Sequence, residues 1–98
     1  MFETKKPGKK IQEVLRKLGN KYTIKTIDCE NCIYLMLENG YFFEVSGLDG
    51  SKKDFNATIY VWGNTKGSKT VETISNIDSL DMLKDCLEEA EQKYLKLE

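Results

Sequence analysis

Residues 33–45 constrain this chain more than any other stretch. Ile33-Tyr34-Leu35-Met36-Leu37-Glu38 alternates, Asn39-Gly40 interrupts, and Tyr41-Phe42-Phe43-Glu44-Val45 alternates back. Asn-Gly between two alternating runs is the strongest short-range signal for a β-hairpin, because a type I′ turn needs positive φ at both central residues. A two-residue turn sets Glu38 against Tyr41, Met36 against Phe43 and Tyr34 against Val45. Tyr34, Met36, Tyr41, Phe43 and Val45 then share one side of the ribbon, and Ile33, Leu35, Leu37 and Phe42 the other. Both sides are largely apolar, so both call for cover.

The rest of the chain supplies two helices and more strands. Ile11, Val14, Leu15 and Leu18 form the i, i+3, i+4, i+7 stripe of an amphipathic helix over 9–19, ended by Gly19-Asn20 and backed by Lys9, Lys10, Arg16 and Lys17. Residues 1–8, with Pro7, read as a basic arm. Strands are expected at 22–27, 56–62 and 69–74, with loops at 47–54 and 63–68. A long helix fills 77–95, with Asp78 as its N-cap and Ile77 and Met82 as a hydrophobic staple. On that helix Leu80, Leu83, Leu87, Ala90 and Tyr94 share an arc of about 80° at 100° per residue, and Asp78, Asp81, Asp85, Glu88 and Glu89 gather nearly opposite.

The sum is a single α+β domain of 98 residues in the order α-β-β-β-β-β-α, an antiparallel sheet over 21–74 with both helices on one face. The aliphatic set Ile33, Leu35, Leu37, Ala57, Ile59 and Val61 is the natural floor for the helices. The aromatic set Tyr34, Tyr41, Phe43, Tyr60 and Trp62 is then expected on the open face. Such a face is either an interface or a second small core closed by the arm, the loops or another copy of the chain.

Chemistry finds few footholds. The chain has no His, which removes the commonest general base and every Ser-His or Cys-His pair. Cys29-x-x-Cys32 lacks the four ligands of a zinc site and the βαβ setting of a redox motif, and Asp28 and Glu30 oppose a thiolate. It reads as two thiols in a turn. Gly50-Ser51-Lys52 and Gly67-Ser68-Lys69 do not have P-loop spacing. A non-enzyme without metal or cofactor is the expectation.

Charge is divided. Residues 1–25 hold eight Lys/Arg against two acids, and residues 26–98 hold seven against fourteen, so a net charge of −1 conceals +6 and −7. Nucleic-acid binding through the basic arm is an alternative, disfavoured by the acidic helix and by a sheet face whose only nearby bases are Lys52, Lys53 and Lys66. Three cysteines, no apolar run of membrane length and no signal-peptide core point to the cytoplasm.

Lys21-Tyr22-Thr23-Ile24-Lys25 after the first helix and Glu44-Val45-Ser46-Gly47-Leu48-Asp49 in the middle, about a tenth of the chain, carry a further likeness. With the helix–sheet–helix order, the chain resembles small phage proteins that disable bacterial defence nucleases, notably type II-A anti-CRISPR proteins. The resemblance implies a non-enzymatic inhibitor of a host nuclease. Those proteins are strongly acidic DNA mimics, so here mimicry would fall to one face: Asp78, Asp81, Asp85, Glu88 and Glu89, with Glu91 beside them. The alternative is a homodimeric module that pairs through its aromatic sheet face.

Overall fold

A computed structural model describes residues 8–27, 30–48, 55–63 and 70–96. The elements are α1 (Lys9–Leu18), β1 (Thr23–Ile27), β2 (Glu30–Met36), β3 (Phe42–Ser46), β4 (Ala57–Trp62), β5 (Thr70–Ile77) and α2 (Leu80–Leu95). The fold is α+β. The five strands form one antiparallel meander in the order β1-β2-β3-β4-β5, so each strand pairs with its neighbour in sequence.

Both helices press on the same side of the sheet. Ile11 and Val14 of α1 and Leu83, Leu87, Ala90 and Tyr94 of α2 share one core with Ile33, Leu35, Phe43, Val45, Ala57, Ile59 and Val61. Alternation along β2, β3 and β4 puts every second side chain into this layer. Each fully buried Ile, Leu or Phe there contributes about 1.5–3 kcal/mol.

The central hairpin departs from the two-residue turn. Ile33 pairs with Val45, Tyr34 with Glu44, Leu35 with Phe43 and Met36 with Phe42. Gly40 N–H donates to Leu37 O at 3.0 Å and Leu37 N–H to Tyr41 O at 2.7 Å, so the loop is the three residues Glu38, Asn39 and Gly40. Only Gly40 carries positive φ, at 96°, and Asn39 does not; that excludes type I′ and fits a turn closed by a left-handed glycine. A slip of one residue turns β3 over. Tyr41, Phe43 and Val45 therefore join Ile33, Leu35 and Leu37 beneath the helices, and Phe42 moves to the open face. The cause is burial: only this register places the whole aliphatic set and Phe43, which is 0% exposed, in the same layer.

Strand β5 runs further than its weak alternation suggested, to Ile77 rather than residue 74. Two irregularities explain the pattern. Val61 faces Glu72 while Trp62 faces Thr70, and Ile59 faces Ile74 while Ala57 faces Ile77. Each spacing inserts one extra residue in β5, the mark of a bulge, and Asn76 takes φ of 62° within the second. Ile74 and Ile77, three apart, can thus both face the core. Because β5 consumes Ile77, the N-cap moves from Asp78 to Ser79, whose hydroxyl accepts from Met82 N–H at 3.1 Å.

Candidate interaction surfaces

The sheet's second side carries a band of rings, and among the described residues no helix lies over it. Lys25 on β1 places its Nζ 4.4 Å from the Tyr34 ring centroid on β2. Tyr34 meets Phe42 on β3 at 5.5 Å, and Phe42 stacks on Trp62 of β4 at 6.0 Å and 12°. Tyr34, Phe42, Tyr60 and Trp62 are half-buried, and Met36 beside them is 57% exposed. Sequence reasoning placed Tyr34, Tyr60 and Trp62 correctly. It misplaced Tyr41 and Phe43, which pack against Tyr94 of α2 at 5.1 and 6.2 Å, and it missed Phe42.

Next to the band lies a hollow of about 300 Å³ lined by Glu30, Cys32, Glu44, Ser46, Tyr60, Trp62 and Thr70. Glu44, 8% exposed, sits between Tyr34 and Tyr60 in the ladder. Glu30 accepts from Gly47 N–H at 2.8 Å. Cys32 is buried, while Cys29 lies outside the described residues, as do the loop lysines 52, 53 and 66 and all of the basic arm except Gly8. Among the described residues no cluster of His, Cys, Asp or Glu could hold a metal ion.

The second surface is the outer side of α2. Asp81, Asp85, Glu88 and Glu89 are exposed along it, and Asp78 is exposed just before it. None of the five forms an ion pair with another described residue. Glu91, by contrast, is paired with Lys21 at 2.6 Å and Glu72 with Lys93 at 3.1 Å. Groups on and beside the helix register its negative field. Burial raises the Tyr22 hydroxyl to about 12, with Glu91 and Glu88 adding to it. Burial, then Glu89 and Asp85, pushes the Cys86 thiol up. Asp81 also sits in the first turn, where the helix dipole favours a carboxylate. Lys84, exposed on the same helix, lies at the edge of the acidic arc, one turn from Asp81 and from Glu88.

Tyr94 fastens this helix to the sheet at three points. Its ring packs on Tyr41 and Phe43, its hydroxyl donates to Glu72 Oε1 at 2.6 Å, and its carbonyl accepts from Asn39 Nδ2 at 2.7 Å. That hydroxyl, followed by Lys93, holds the Glu72 carboxyl below its ordinary value. Burial first, then Glu72, raises the Tyr94 hydroxyl to about 12. A phenol whose folded value lies above its ordinary 10 stabilises the fold fully below pH 10, and the contribution drains away as pH climbs toward 12. Denaturant unfolding across that interval is expected to show falling stability, with a shallower fall in Tyr94→Phe. Equal slopes would rule out this account of Tyr94.

No known protein family, no curated protein and no solved structure matches this chain. Among the described residues no helix is long and apolar enough to cross a membrane.

Proposed function

We propose that this chain is a non-catalytic protein-binding module that offers the acidic side of α2 to a basic surface of another protein. One observation carries the reading. Asp78, Asp81, Asp85, Glu88 and Glu89 are exposed and outside the ion pairs of the described residues, while Glu91 and Glu72 on neighbouring positions are neutralised. Unneutralised carboxylates on a rigid helix repel one another and gain most when a cationic surface replaces water and counterions. The narrower form is an anti-CRISPR-like inhibitor that occupies the nucleic-acid channel of a host nuclease.

The test pairs the chain with a guide-loaded type II-A nuclease and measures association at low and high salt, together with DNA cleavage. Wild type is expected to bind and to compete with DNA. The triple reversal D81K/D85K/E88K is expected to keep its fold and to associate about ten-fold or more slowly at low salt, with little difference at high salt. Full cleavage in the presence of wild type sinks the nuclease version. Binding unchanged by the triple reversal sinks the acidic-face mechanism altogether.

A second reading has its own support in the ring band Tyr34–Phe42–Trp62 with exposed Met36. Two copies could pack these faces as a β-sandwich, about 10 Å apart. Sedimentation at rising concentration is expected to show mass growing toward a dimer, and Trp62→Lys to abolish that growth. A constant monomer mass excludes this reading.

A further inference from the structure

Asn39-Gly40 has a role that the turn alone does not explain. The asparagine is not one of the left-handed residues of a type I′ turn. It keeps negative φ and turns its amide toward α2, where Nδ2 donates to the Tyr94 carbonyl at 2.7 Å. That carbonyl belongs to the last turn of α2 and also accepts from the Lys96 N–H, so Asn39 is its second donor and the one that comes from the sheet. The hairpin tip is thereby tied to the end of the helix across 55 residues of sequence.

Asn followed by Gly is also the dipeptide in which the backbone most readily attacks its own side chain, because glycine has no Cβ to hinder approach. The Gly40 nitrogen gives up its proton and bonds to Asn39 Cγ, the Cγ–Nδ2 bond breaks, and ammonia leaves. Water then opens the cyclic imide at either carbonyl, giving aspartate or isoaspartate. Water is the only co-reactant, and nothing is oxidised or reduced.

The fold holds both reacting groups. The Gly40 N–H is donated to Leu37 O at 3.0 Å, and the departing Nδ2 is the group that ties the hairpin to α2. We propose that Asn39-Gly40 is a self-modification site guarded by the native structure, and that its conversion irreversibly releases the C-terminal turn of α2 from the sheet. The product carboxylate is an acceptor only, so it cannot donate to Tyr94 O. Its charge also faces the negative end of the helix dipole. Isoaspartate lengthens the backbone by one carbon inside a loop of three residues.

Two measurements test this. Wild type is incubated at mildly alkaline pH, folded and in denaturant, and residue 39 is followed by peptide mapping for aspartate and isoaspartate. Conversion is expected to be at least about ten-fold slower in the folded protein, since it must await local opening. Equal rates would overturn the guarding. Asn39→Asp is then compared with wild type by amide hydrogen exchange. The last turn of α2 is expected to exchange about ten-fold or more faster while the amides of β2–β4 keep their protection. Unchanged exchange at 91–96 would overturn the clamp, and the first measurement stands even where the variant folds poorly.

Discussion

Phe43→Ala is expected to cost about 3–5 kcal/mol, the range for emptying a buried Phe site, and Phe42→Ala about 1 kcal/mol. The two residues are adjacent and identical, so propensity and composition cannot separate them. Only the face does. Phe43 is 0% exposed, opposite Leu35 and Val61, with its edge toward Tyr94. Its removal leaves a cavity ringed by β-sheet and helix that cannot collapse easily. Phe42 is half-buried between Tyr34 and Trp62 on the side away from the helices, and ring pairs of that kind are worth about 0.5–1.5 kcal/mol each. With total stability of about 5–15 kcal/mol for a domain of this size, Phe43→Ala is expected to lower Tm by on the order of 15–30 °C. Equilibrium unfolding of the two variants side by side checks the hairpin register. The reverse ranking would mean that the Asn-Gly turn has two residues after all.

The legible part of this fold was whatever rests on period and composition. The helix stripes Ile11-Val14 and Leu83-Leu87-Ala90-Tyr94 and the alternation Ala57-Ile59-Val61 each have one sensible orientation, and each lies in the core. The hairpin was different. Tyr41-Phe42-Phe43 is apolar at three successive positions, so it suits either face, and its orientation depends on whether Gly40 opens the turn or closes it. Turn chemistry favoured the two-residue loop, and packing over Ile33, Leu35 and Leu37 outweighed it. Strand β5 hid its length for a related reason: bulges break the two-residue period, so Ile74 and Ile77 did not read as one face.

The acidic side of α2 was fully visible from sequence, since 100° per residue suffices to gather Asp81, Asp85 and Glu88. That it stays outside the ion pairs of the described residues was not. Glu91 and Glu88 are close in sequence, yet Glu91 meets Lys21 from the far end of the chain while Glu88 is exposed and pairs with no described residue. The Asn39 tie to Tyr94 was equally hidden. It joins residues 55 apart, and no local rule assigns a hairpin amide to a helix carbonyl.

Gly47→Ala is expected to be nearly as damaging as the loss of Phe43, at about 2–5 kcal/mol, by a different route. Gly47 follows β3 with φ of 87°, which costs an L-residue about 1–2 kcal/mol. A Cβ built there would lie 2.3 Å from the Asn56 carbonyl oxygen, so the backbone before β4 would have to retreat by more than the contact can absorb. That retreat pulls on Ala57, which is buried against Ile77, and overpacking of this kind adds about 1–3 kcal/mol. The Gly47 N–H also holds the Glu30 carboxylate at 2.8 Å, and Leu48, next in the chain, is buried in the core. A left-handed residue in contact with the opposing strand is thus what lets the chain leave the sheet and drop Leu48 inward. Gly19, also at positive φ, has nothing within 4 Å of its would-be Cβ, so Gly19→Ala is expected to incur the conformational part alone. Denaturant midpoints for the two alanine variants decide the point: a Gly47 cost no larger than that of Gly19 would show that the close approach to Asn56 does not constrain the fold.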